Sequence, residues 1–246
     1  MTSILNVSAY RFVGLSEPAQ WCERIRSRAG VQGLKGTVLL ADEGINLFVA
    51  GAEPGVRAFL AWLVAQPPFV GMPVTESWSA AMPFRKLVVR VKPEIIRMNQ
   101  PTIRPQSQRA PSVDARTLAR WLAAGTDDDG RPVLMLDTRN GFEVDAGRFR
   151  DAIDWRLRKF SDFPNALHEH RAELEGKTVV SYCTGGIRCE KAALWMAEAG
   201  VARVLQLEGG ILRYFEDAGG THFQGHCFVF DQRKLLNDTL APVPPV

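Results

Sequence analysis

The residues best placed to do chemistry lie in one run, Cys183-Thr184-Gly185-Gly186-Ile187-Arg188, with a second thiol directly after it at Cys189. The pattern suits a thiolate. Two glycines let the backbone wrap around a sulfur, inward-facing peptide N–H groups and the start of a helix favour negative charge, and Arg188 adds a full cation. Such surroundings lower a thiol's pKa and make it a nucleophile. The plainer alternative is a packed cysteine, and the glycines and arginine in the same loop favour the reactive one. Cys189 either packs at the start of the helix or traps an oxidised Cys183 as a disulfide.

Something must hold that loop in place. Lys177 to Tyr182 is an apolar, β-branched run that predicts a buried strand ending on the cysteine, and a helical pattern follows the loop and closes at Gly200. Val133-Leu134-Met135-Leu136 is a second short apolar strand of the kind found in parallel sheets, and it ends on Asp137-Thr138-Arg139. Open α/β sheets collect their sites at such carboxyl ends, so Asp137 and Arg139 are expected beside the cysteine. A buried Asp–Arg pair satisfies itself, and we expect these two to brace the loop rather than react. Ser112 or Asp114 can cap a helix through Leu122, Val204 to Leu207 predicts another strand, and Gly209-Gly210-Ile211 leads into a last helix through Phe215. This alternation predicts a doubly wound parallel sheet over residues 113–219.

The loop resembles the active-site loop of a rhodanese domain, whose cysteine carries a persulfide in the sulfurtransferase members. Asp137-x-Arg139 followed by Glu143 resembles the rhodanese signature after a central strand. In phosphatases of rhodanese fold the loop is one residue longer, with arginine six after cysteine. Here that position is Cys189, which argues against phosphate-ester hydrolysis. The variant CTGGIRCEKA, with Glu43-Gly44-Ile45-Asn46 upstream and Gly225-His226-Cys227-Phe228-Val229-Phe230-Asp231 downstream, resembles the rhodanese-containing tRNA uridine hydroxylases. That resemblance spans nearly the whole chain. It implies oxygen-dependent hydroxylation at carbon 5 of the wobble uridine, position 34, to 5-hydroxyuridine, with tRNA bound through its anticodon loop and Cys183 as the catalytic residue. A cysteine adding to uridine carbon 6 would make carbon 5 nucleophilic. The alternative is a sulfurtransferase drawing on thiosulfate or a persulfide donor. Many relatives continue into a cysteine-rich extension after the GxCFVFD element, whereas this sequence runs to Pro-Pro-Val.

Cofactor motifs are not evident. There is no GxGxxG, no two-His-one-carboxylate spacing and no CxxC, so neither a metal nor a flavin is expected, and molecular oxygen enters as a co-substrate on the resemblance alone. His168 and His170 lie in a polar helical stretch and are expected to be solvated. Cys227 is expected to pack, with a resolving thiol or a substrate-facing group as the alternatives. No apolar run approaches the ~20 residues of a membrane span, and the N-terminus lacks a signal-peptide layout, so a cytoplasmic protein without a membrane partner is expected.

The net charge of +3 is unevenly distributed. Lys and Arg against Asp and Glu stand at 6 to 6 over residues 1–84, 8 to 2 over 85–116, and 16 to 19 over 117–246. Such a basic middle segment suits a polyanion, and nucleic acid foremost. Arg85, Lys86, Arg90 and Lys92 alternate with apolar residues and are expected on the exposed face of one strand as phosphate contacts. Upstream, strands at Ile4–Phe12, Gly36–Leu40, Ile45–Ala50 and Lys86–Val91, with helices at Glu17–Ala29 and Glu53–Ala65, give the order βαββαβ. This predicts a ferredoxin-like α+β sandwich over residues 1–98, a four-stranded antiparallel sheet with one face free. Pro101, Pro105 and Pro111 in a stretch without periodicity predict a stiff linker over 99–112, and 220–246 is expected as a C-terminal tail.

Overall fold

The computed structural model describes residues 3–243, so the last three residues of the expected tail lie outside the described range. Two compact units are present. The first comprises residues up to Arg97 together with Phe230–Arg233, and the second holds Met98–Val229 and the chain from Lys234.

The first unit contains β1 (Ile4–Phe12), α1 (Pro18–Val31), β2 (Lys35–Ala41), β3 (Gly44–Ala52), α2 (Glu53–Val64), β4 (Val74–Ser79) and β5 (Leu87–Val91). Proline stands in the first turn of both helices, where its missing N–H costs nothing. The sheet order is β4-β1-β3-β2-β5. Leu5, Val7, Val38, Leu40, Ile45, Leu47 and Val49 alternate along their strands into one core with Ile25, Phe59 and Leu63 of the helices. This is the expected ferredoxin-like class, with a correction to its strands. The strand that closes the βαββαβ unit beside β1 is Val74–Ser79, and Leu87–Val91 is a fifth strand laid parallel to β2. The sequence Val-Thr-Glu-Ser-Trp-Ser carries little apolar alternation, and an edge strand needs little.

The EGIN turn has a structural role. Glu43 Oε1 accepts the Ile95 N–H at 2.7 Å, and Asn46 Nδ2 donates to the Ile95 carbonyl at 3.3 Å. Both backbone polar groups of Ile95 are thereby gripped, which fixes the chain leaving β5 at the end of the sheet.

In the second unit β6 (Ser112–Val113), α3 (Ala115–Ala124), β7 (Val133–Asp137), α4 (Gly141–Val144), β8 (Gly147–Phe149), β9 (Ile153–Asp154) and α5 (Phe163–His170) come first. They are followed by β10 (Thr178–Tyr182), α6 (Ile187–Glu198), β11 (Val204–Leu207), α7 (Gly210–Ala218), β12 (Phe223–Gly225), β13 (Cys227–Phe228) and β14 (Leu235–Leu236). The main sheet, β6-β11-β10-β7-β9, is parallel throughout. Its central strand β10 is buried at every position, as a strand covered on both faces must be. Asp114 caps α3 by accepting the Arg116 and Thr117 N–H groups at 3.0 Å each.

Residues 99–112, expected as a linker, belong to this unit, and so does Met98, expected as the last residue of the first. Ile103 and Ala110 are buried, and Gln206 binds the segment through its own N–H to the Pro111 carbonyl and its side chain to the Ala110 carbonyl. The expected tail is likewise structured. β12 pairs with β8, β13 with β14, and Phe230–Arg233 joins the first unit, where Arg233 donates to Ser77 Oγ at 2.7 Å.

Candidate active site

The loop after β10 closes on its own sulfur. Gly186 takes φ +95°, a left-handed conformation open to glycine, and so turns its N–H back onto Cys183 Sγ at 3.1 Å while capping α6. The loop carbonyls face elsewhere. Ile211 N–H donates to the Cys183 carbonyl at 2.9 Å and Leu212 N–H to the Thr184 carbonyl at 3.1 Å, so the first turn of α7 consumes the acceptors. The Gly186 N–H is left to the sulfur. This approach requires Gly210 to lack a side chain, since a Cβ there would stand 2.4 Å from the Cys183 carbonyl oxygen and 2.7 Å from Gly186 N.

Cys183 is fully buried. Burial pushes its thiol up, but a hydrogen bond from the Cys189 thiol, the Arg188 charge and the N–H groups of Arg188 and Gly186 outweigh it and lower the pKa to about 6. Burial, and after it the same contact, pushes Cys189 well above the usual thiol range. Cys189 is therefore the proton donor of the pair. Its Sγ also lies 3.6 Å from Thr138 Oγ1, which donates to the Tyr182 carbonyl at 2.9 Å.

Arg188 is held by Glu143 in a two-point fork, Nη1 to Oε2 at 2.7 Å and Nη2 to Oε1 at 2.8 Å. Burial pushes Glu143 up, yet the arginine and the Asn140 N–H keep it below the usual carboxylate range. Asp137 and Arg139 pair with each other at zero exposure, Nε to Oδ1 at 2.9 Å and Nη2 to Oδ2 at 2.6 Å. Arg139 also donates to the Gly147 carbonyl at 2.6 Å and the Glu143 carbonyl at 3.4 Å. The pair thus ties the end of β7 to the turn that carries Glu143.

Thr184 Oγ1 donates to the Phe228 carbonyl at 3.4 Å, Gly185 is half-exposed, and Ile187 opens α6 as a buried residue. Cys227 is buried, and burial pushes its thiol up to about 12, so it stays protonated. The first unit holds Arg85, Lys86, Arg90 and Lys92, all exposed. Val89 points into the core, so Lys86, Arg90 and Lys92 share the helix-free side, whereas Arg85 precedes the strand and is out of phase with them. The sequence reading gave Glu143 a place in a signature but no task. It missed Thr138, Gly210 and the α7 N–H groups. A glycine pair ahead of a helix was the available signal for the last of these.

Residues 4–95 match the family described as UPF0176 acylphosphatase-like domain, and residues 118–217 match the rhodanese-like domain. The curated protein from Bordetella avium named tRNA uridine(34) hydroxylase is 61% identical over 241 residues, covering 98% of this chain and 100% of its own length. This chain belongs to the tRNA uridine(34) hydroxylase family. Its members of the same name in Variovorax paradoxus and Burkholderia thailandensis are 57% and 56% identical, covering 98% and 100% of this chain and 92% and 84% of their own lengths. Among the described residues no helix is long and apolar enough to cross a membrane.

Proposed function

We propose that this protein hydroxylates uridine 34 of tRNA at carbon 5, with molecular oxygen as co-substrate and the Cys183 thiolate as the reacting group, in the cytoplasm. The observation that carries the reading is the end-to-end match to curated tRNA uridine(34) hydroxylases, which takes in both units. The site chemistry agrees with it. A thiolate with a pKa of about 6 is ionised at neutral pH and can add to uracil carbon 6. The C5–C6 electron pair then moves to carbon 5, which takes one oxygen atom. Loss of the carbon 5 proton and of the thiolate restores the ring. The second oxygen atom leaves as water and requires two electrons from an external reductant. Lys86, Arg90 and Lys92 hold the RNA backbone, and the anticodon loop supplies the base.

The complete enclosure of Cys183 Sγ favours a second reading for the cysteine, since a cradle of N–H groups fits one extra anionic sulfur atom more readily than a ring. Under that reading the protein is a sulfurtransferase and Cys183 carries a persulfide. Mass spectrometry of tRNA nucleosides separates the two, using cells lacking the gene and complemented with wild type or Cys183→Ser. Loss of 5-hydroxyuridine derivatives, restored by wild type alone, is the expected result. Unchanged 5-hydroxyuridine with loss of a thiolated nucleoside would replace the hydroxylase by the sulfurtransferase.

A further inference from the structure

We infer that Phe142 stacks against the substrate base at the mouth of the Cys183 loop. The inference rests on the proposed uridine chemistry and assigns to that site a base-stacking ring. Phe142 is 51% exposed, and among the described residues it is the one large apolar side chain of the second unit left so open. A lone exposed apolar residue on a surface needs no explanation. This one stands where the loop is held. Its chain neighbour Glu143 forks Arg188, the last residue of the loop. The Phe142 ring meets Phe228 edge to face at 5.3 Å and 86°, and the Phe228 carbonyl receives the hydroxyl of Thr184, the second residue of the loop.

Two aromatic residues are therefore anchored to the two ends of the segment Thr184–Arg188. Between these anchors lies Gly185, where an added Cβ would meet nothing within 4 Å. The loop is open at that point and closed around the sulfur below. An aromatic ring fixed beside an opening is the usual means of holding a flipped-out or single-stranded base, because every base has a π face. The T-shaped contact holds the ring in one orientation before the base arrives, which lowers the ordering cost of binding.

The test uses the full chain, with stem-loop RNA carrying either uridine or an abasic site at the wobble position. Base–aromatic stacking corresponds to a loss of roughly 5- to 150-fold on removal of the ring. Wild type should therefore prefer the uridine loop over the abasic loop, and Phe142→Leu should lose that preference while Phe142→Tyr keeps it. In turnover the Leu variant should show the loss in KM with kcat little changed. Its Cys183 ionisation midpoint should stay at the wild-type value, showing that the loop is intact. Equal discrimination by wild type and Phe142→Leu, or a loss in Phe142→Leu accompanied by a shifted thiolate midpoint, would overturn the inference. Because the binding comparison needs no turnover, it remains decisive even if the hydroxylase reading fails.

Discussion

Removing the Cys189 thiol should raise the pKa of Cys183 while leaving the loop in place. Cys189 is buried on the first turn of α6, and its thiol is foremost among the influences that hold the Cys183 pKa down. Hydrogen bonds to charged groups contribute about 1.5–3 kcal/mol, and one pKa unit corresponds to about 1.4 kcal/mol. Cys189→Ala should therefore move the Cys183 midpoint from about 6 toward roughly 7–8. At pH 7 the thiolate fraction would fall from about nine-tenths to between one-half and one-tenth. Because Cys183 Sγ is fully buried, the assay is the far-ultraviolet absorbance of the thiolate against pH, taken as the difference from Cys183→Ser. Cys189→Ser keeps a donor and should sit closer to wild type. The sign also appears in stability. Between about pH 6 and the ordinary thiol pKa the unfolded chain binds a proton that the folded chain does not, so stability from this group rises with pH and is lost as pH falls through 6. A midpoint unmoved in Cys189→Ala, or one near the ordinary thiol value in wild type, would refute the account of the cradle.

Other expectations concern the charges. Asp137→Asn leaves Arg139 buried and half-paired and should cost about 3–5 kcal/mol of stability in denaturant unfolding, with activity lost in proportion to unfolding. Glu143→Gln should destabilise by a similar mechanism yet push the Cys183 midpoint further down, since the field of Arg188 is then no longer offset; a midpoint that rises would contradict the assignment. Replacing Lys86, Arg90 and Lys92 together by Gln should weaken tRNA binding and reduce the slope of log affinity against log salt by about 2–3. An unchanged slope in filter binding would remove these residues from the RNA contact.

The cradle was legible because its chemistry is local. Glycines, an arginine and a strand-ending cysteine within six residues specify where the N–H groups go. Asp137 and Arg139 were legible for the same reason, being two apart at a strand end. What escaped the sequence is held by partners distant along the chain. Glu143 and Arg188 are 45 residues apart, and Thr138 and Cys189 are 51 apart. The Gly210 approach to the loop depends on how α7 docks, which no local pattern encodes. The same holds for the first sheet. Val74–Ser79 lacks alternation and takes its place from its neighbour β1, so Leu87–Val91, with the stronger pattern, was assigned its role. Prolines in 99–112 were taken for a linker because rigidity in sequence looks alike whether a segment spans solvent or lies packed.

The fifth strand carries a consequence for solubility. Without it, β2 would end the sheet with Thr37-Val38-Leu39-Leu40, an apolar edge whose open N–H and C=O groups invite pairing with another chain. Pairing β5 there moves the edge to a strand with Arg90 within it and Lys86 and Lys92 beside it, and like charges on two such edges repel. The cations assigned to the RNA backbone therefore also act as a guard against self-association. A variant stripped of them will expose a sticky edge as well as an empty phosphate site, and its RNA affinity should be measured alongside its sedimentation.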